Sequence, residues 1–241
     1  MSYAIVILTI GFLILIHELG HFVMARRMGI PVSRFSIGYG PKLWSFRHGE
    51  TEYRLSVVPL GGYVLPDIKS EDELYQIPIH KRIVFTSGGI VANILLVILL
   101  LAVLNTVVSG FSLSGIFVNP FVQTWRQFSQ MAMAIPSIFS HPDEMSGIVG
   151  IVAQGSGFIG MNPIRIISFA ILISLNLAIF NLLPFPPLDG GKLLLYALER
   201  INPRFTKLQL PLAIAGFILL IGLMVYVTAM DVGRIFGGVG A

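Results

Sequence analysis

Ile16-His17-Glu18-Leu19-Gly20-His21-Phe22 decides how the rest of the chain is read. It sets an HExxH pattern inside an apolar run and not on a water-facing surface. On a helix, His17 and His21 lie four residues apart and share a face. Two imidazoles so placed can grip one Zn²⁺, and Glu18 beside them can act as general base on the metal's water. The bland alternative is three polar residues that fall together by chance. Ordinary residue usage produces the pattern in a chain of this length on the order of 1% of the time. Inside a membrane span it is rarer, because ionisable groups there are costly and usually functional.

The composition supports a membrane setting. Of 241 residues, 55% are hydrophobic and only 12% are charged, about half the charged share of a soluble domain. The chain reads as an all-α polytopic membrane protein, one integral unit over 1–241. It is expected to have about four transmembrane helices and a small membrane-associated β-hairpin after the first. With no cysteine, thiolate zinc sites, disulfide frameworks and cysteine proteases are excluded. No Lys/Arg-rich arm is present, so nucleic acid is not an expected partner. The N-terminus has no basic leader and no small-x-small cleavage site, and it reads as a retained first span.

That span covers about 3–25. His17 lies roughly 20 Å into it at about 1.5 Å per residue, which puts the motif in the membrane, toward the exit end. Arg26 and Arg27 follow as an interfacial stop. Residues 30–66 alternate, with turn residues around His48-Gly49-Glu50, which signals a hairpin. Leu60-Gly61-Gly62-Tyr63-Val64 is expected to end it. Its edge is equally compatible with a plain surface hairpin and with a strand that pairs with an extended peptide. Asp67 to Arg82 reads as a solvated acidic loop.

Span two covers about 83–108. Gly88, Gly89, Ala92 and Asn93 near its start let helices approach closely; Asn93 is also a candidate substrate-facing residue. Residues 119–140 carry an apolar stripe broken by Gln and Arg, which fits a helix on the membrane interface, interrupted at Pro136. Span three covers about 165–183 and stops at Pro184, Pro186 and Pro187, with Asp189 closing the break. Non-helical backbone at that depth is tolerated only inside protein or around a wet cavity. A basic amphipathic segment and span four, about 210–229, complete the chain. His48, His80 and His141 are expected in loops, away from any metal.

Lysine and arginine orient the spans. Residues 26–82 hold nine and 192–207 hold four, against Arg126, Arg165 and Arg234 on the other side. The positive-inside rule puts the hairpin in the cytoplasm and both termini outside. Spans one and three then run in the same direction, so His21 and Asp189 reach similar depth. A catalytic zinc wants three protein ligands and water, and Asp189 is the carboxylate available to join His17 and His21. The alternative for Asp189 is to cap the following helix, starting near Gly191.

These residues resemble the site-2 protease family of intramembrane zinc metalloproteases. The resemblance rests on His17-Glu18-Leu19-Gly20-His21 and on Asn181-Leu182-Leu183-Pro184 through Leu188-Asp189-Gly190-Gly191. Phe35-Ser36-Ile37-Gly38, Pro59-Leu60-Gly61-Gly62-Tyr63 and Ser146-Gly147-Ile148-Val149-Gly150-Ile151 are similar to its regulator-of-sigma-E protease branch. It implies one Zn²⁺ on His17, His21 and Asp189, with Glu18 as the catalytic carboxylate. It also implies that Asn176 and Asn181 face the substrate or assist the reacting carbonyl. The implied location is a bacterial cell membrane, with the active site toward the cytoplasm. The implied partner is a single-span membrane protein or signal-peptide remnant. The branch's PDZ domains do not fit the roughly 55 residues of 109–164, so a membrane partner is a candidate regulator in their place. The rival from another class is a membrane zinc transporter or sensor with the same ligands, which would not need Glu18.

Overall fold

The computed structural model describes residues 1–68, 73, 76–140 and 145–236. Long apolar runs become helices because in lipid every backbone polar group must be paired within its own segment. Among the described residues, four helices are long and apolar enough to cross a membrane. They are α1 (Ser2–Met28), α2 (Ile79–Ser109), α6 (Pro163–Leu182) and α8 (Gln209–Phe236). Between them lie strands β1 (Val32–His48) and β2 (Thr51–Pro66) and the short helix α3 (Leu113–Phe117). Helices α4 (Asn119–Ser140), α5 (Ile148–Ile159) and α7 (Asp189–Ile201) make up the rest, with a 3-10 turn at Pro203–Leu208. The architecture is the helical, four-span one with a hairpin after the first helix. At 12 residues, α5 reaches only about 18 Å and is too short to span.

Burial from water contributes little to helix association in lipid, so close packing decides where helices meet. α1 and α2 cross at Gly20 and Gly88, where a Cβ on either residue would strike the other's backbone. Val97 and Leu101 of α2 interlock with Ile171, Leu175 and Ile179 of α6, with Phe128, Met131 and Ile135 of α4 laid against them. Val6, Ile159 and Phe169 join α1, α5 and α6. Ala25, Ile30 and Val32 seat the hairpin on the end of α1, against Phe22, Val64 and Phe85.

Four expectations need correction. β2 does not end at 60–64; it runs to Pro66, and residues 62–65 pair with 34–37, whose other edge faces 52–55. Gly62 makes this passage possible, because a Cβ there would stand 2.6 Å from the Ser36 carbonyl. α4 continues through Pro136, which is exposed, to Ser140. α2 begins at Ile79, so His80 and Arg82 are helical and not in a loop, and His48 closes β1. Arg82 is almost fully buried, bonded to Glu199 of α7 through two nitrogens at 2.8 and 2.6 Å. His141, Pro142 and Lys69-Ser70-Glu71-Asp72 lie outside the described residues.

Candidate metal centre

His17 and His21 leave α1 on one face, one turn apart. Asp189 arrives from a different direction. α6 stops at Leu182, the backbone turns through Pro184, Pro186 and Pro187, and α7 starts at Asp189. A Cβ on Gly190 would strike the Leu182 and Leu183 carbonyls, so glycine lets the turn close tightly enough to deliver the aspartate. Leu188 holds the N-cap position of α7 and Asp189 is its first helical residue. Asp189 Oδ2 lies 3.1 Å from His17 Nε2 and 3.0 Å from His21 Nε2. The two Nε2 atoms are 3.2 Å apart.

All three side chains are buried. Among the described residues this is the cluster of histidine and carboxylate groups able to hold a metal. Three electron-pair donors at the corners of a triangle 3.0–3.2 Å on edge are poorly compatible with one another unless a cation or protons lie between them. A tetrahedral zinc with bonds of about 2.0–2.1 Å needs donor atoms about 3.3 Å apart. The residues therefore fit zinc in donor chemistry and in spacing.

The surrounding groups aim the donors. His21 Nδ1 donates to the Phe85 carbonyl at 3.0 Å, which leaves the Nε2 lone pair pointing into the triangle. Lys192 Nζ holds Asp189 Oδ1 at 3.1 Å, which leaves Oδ2 facing the two histidine Nε2 atoms. Against His17 Nδ1, at 3.2 Å, stands the side-chain nitrogen of Asn93. Asn93 Oδ1 is buried with no hydrogen-bond partner. Gly89 backs the pair; a Cβ there would lie 2.5 Å from His21 Nε2 and 2.6 Å from His17 Nε2.

Glu18 is half-buried beside these three side chains. Strand β2 crosses it closely, with a Cβ on Gly62 placed 3.4 Å from Glu18 Cγ. Tyr39 reaches across from β1, and its hydroxyl donates to the Gly62 carbonyl at 2.8 Å; burial pushes its phenol pKa up. Farther out, the Arg34 guanidinium, 2.8 Å from Glu52, holds that carboxyl below the usual carboxylate range.

The asparagines expected near the substrate separate. Asn93 is fully buried behind His17. Asn181 turns its amide back onto the Leu177 carbonyl of its own helix at 2.9 Å. Asn176 is half-buried on α6. Sequence reasoning missed Lys192 and the backing role of Gly89. Lys192 carried a usable signal, since a cation three residues after a carboxylate on a helix lies on the same face.

The sequence model of peptidase family M50 matches residues 5–224. A zinc metalloprotease by name from Nostoc is 43% identical over 110 residues, covering 42% of this chain and 30% of that protein. One from Synechocystis is 26% identical and covers 91% of each. One from Clostridium perfringens is 26% identical, covering 94% of this chain and 97% of that protein. The Synechocystis alignment runs over 333 positions against a chain of 241 residues, so that relative carries inserted sequence which this chain lacks.

Proposed function

This chain belongs to peptidase family M50, and from that premise we propose that it cuts a transmembrane segment of a single-span membrane protein or signal-peptide remnant. It is a multi-pass membrane protein and a zinc metalloprotease. The finer reading makes 1–241 one catalytic unit in a bacterial cell membrane, both termini outside and the active site toward the cytoplasm. The observation that carries it is the convergence of His17, His21 and Asp189 donor atoms within 4.8 Å of one another, with Glu18 adjacent on the same apolar helix.

In this reading His17, His21 and Asp189 hold the metal. Zinc, when bound, supplies Lewis acidity that makes a water acidic near neutral pH and polarises a carbonyl. Glu18 takes the proton of the attacking water and returns it to the leaving amine. Lys192 keeps Asp189 turned to present a single oxygen. The substrate helix must unwind first, because a helical segment keeps its carbonyls engaged; a Gly or Pro near the cut would ease that. Strand β2 beside Glu18 offers an extended backbone against which an unwound segment can lie. Asn176 and Asn181 are the side chains proposed to meet the substrate, Asn181 after releasing the Leu177 carbonyl.

The test is co-expression with a panel of single-span substrates, including ones pre-trimmed on the outer side, comparing wild type with Glu18→Gln. Cleavage by wild type alone, blocked by a zinc chelator, is the expected result. Turnover by Glu18→Gln would overturn the role of Glu18. Zinc retained in both proteins with no cleavage of any substrate would favour a zinc transporter or sensor.

A further inference from the structure

We propose that Asn93 is the outer-shell partner of His17: its side-chain carbonyl accepts the Nδ1 proton and fixes the tautomer that presents Nε2 to the metal. The inference rests on the reading of His17, His21 and Asp189 as zinc ligands.

Phe85, Gly89 and Asn93 stand at i, i+4 and i+8 on α2 and form one stripe facing the HExxH turn of α1. Phe85 offers its carbonyl to His21 Nδ1 at 3.0 Å. Gly89 leaves room for both imidazoles. Asn93 lies at 3.2 Å from His17 Nδ1. The first contact already sets His21 in the ligating tautomer, so the third position decides whether His17 matches it.

As placed, the amide nitrogen of Asn93 faces Nδ1. In that orientation Nδ1 accepts, and the imidazole proton sits on Nε2, pointing into the donor triangle. That tautomer cannot bind a metal through Nε2. The same orientation leaves Asn93 Oδ1 buried without a donor. Amide nitrogen and oxygen are distinguished by their hydrogen bonds and exchange places on a half-turn of the side chain. After that exchange Oδ1 receives the Nδ1 proton, and the Nε2 lone pair points at the metal, as in His21. Histidine ligands commonly give their second N–H to such an acceptor.

The burial of Asn93 makes it a positioning residue with no access to substrate. Asn93 is fully buried, and Ser174 of α6 donates to its backbone carbonyl at 3.1 Å. The backbone at Asn93 is therefore tied to α6 while its side chain faces His17 of α1.

The experiment measures zinc affinity of the full chain in detergent, by competition with a chromogenic chelator, for wild type, N93D and N93L. It also follows thermal unfolding of each protein without and with zinc. Aspartate can only accept, so N93D retains wild-type affinity; N93L, of similar size without an acceptor, is expected to lose about 10- to 100-fold. The deficit of N93L appears in the zinc-induced shift of unfolding, whereas a merely structural role would lower the metal-free transition of both variants alike. If N93L does not fold, N93A carries the same expectation. Loss of affinity in N93D equal to that in N93L would overturn the proposal, since His17 would then need the amide nitrogen. A wild-type chain that binds no zinc would overturn the ligand reading itself, and this proposal with it.

Discussion

A single methyl group at position 89 would occupy the space where the two imidazoles meet. Built on Gly89, it lies 2.5 Å from His21 Nε2 and from His17 Cε1, far inside van der Waals contact. The rings are held from behind by Phe85 and Asn93, so they cannot retreat without losing those bonds. Gly89→Ala is therefore expected to lower zinc affinity by about tenfold or more, the scale seen when outer-shell support is lost. Gly222→Ala, at a position with open space around it, should leave zinc affinity unchanged. Chelator competition on both variants checks the pair; equal affinities would mean that the helices part easily at this crossing. The histidines and Asp189 are legible from residue type and spacing, because ionisable groups in an apolar run demand a reason. Gly89 and Asn93 carry no such signature. Their roles depend on which face of α2 meets α1, and that is settled by the Gly20–Gly88 contact.

α7 carries Asp189 at its first residue and Glu199 near its end, so the helix is fixed at both ends. Glu199 binds Arg82 of α2 through both oxygens, the guanidinium lies 4.9 Å from the Tyr196 ring centre, and Gln209 adds a bond at 3.1 Å. Both charges are buried. Removing one leaves the other desolvated without its counter-charge. Glu199→Ala is expected to cost about 3–5 kcal/mol, while a double change to apolar residues of similar size recovers most of it. Reversible unfolding in detergent measures both, and a single variant no worse than the double would dismiss the pair as a clamp. On the hairpin, Arg34 lowers the pKa of Glu52. That pair favours the folded hairpin above the unfolded carboxyl's pKa of about 4.3, and the contribution is lost as pH falls through the lower folded value. Amide exchange of 34–37 should rise in that acid range in wild type and show no such step in Glu52→Gln. The apolar runs gave the helices nearly their full extent, since lipid forces helix on them. Arg82 reads as loop in the sequence because a charge at the edge of an apolar run resembles an interfacial stop. Its partner lies 117 residues away, beyond the reach of local pattern.

The whole bundle is uneven in how firmly its parts are joined. α6 shares one apolar cluster with α2, where α4 packs against it, and another with α1 and α5, whereas most of α8 is exposed. Local contacts hold α8, among them Gln209 on Glu199 and Arg234 Nη1 donating to the Met145 carbonyl at 2.9 Å. Near its start, Gly216 lies directly against the Pro186 carbonyl in the break before Asp189. Near its end, the buried Asp231 carboxylate receives the backbone N–H groups of Gly147 and Gly150 at 2.9 and 2.8 Å. Asp231 thus caps the N-terminus of α5 from another helix, where the peptide dipoles favour negative charge. Nothing local in the sequence announces this, because a capping carboxylate is looked for beside the helix it caps. Hydrogen bonds to a charged group are worth about 1.5–3 kcal/mol each, so the two together rival the packing of one large side chain. Asp231→Ala is expected to raise amide exchange at 147–151 and in the last turns of α8, and Asp231→Asn, which keeps one acceptor, should fall between it and wild type. Zinc affinity should not change, since Asp231 and the proposed ligands His17, His21 and Asp189 share no partner and separated sites act independently. Unchanged exchange in Asp231→Ala would mean that packing and the Arg234 bond to the Met145 carbonyl hold this end of α8 without it. Altered zinc affinity would mean that the contact at Pro186 transmits the loss to the turn that delivers Asp189.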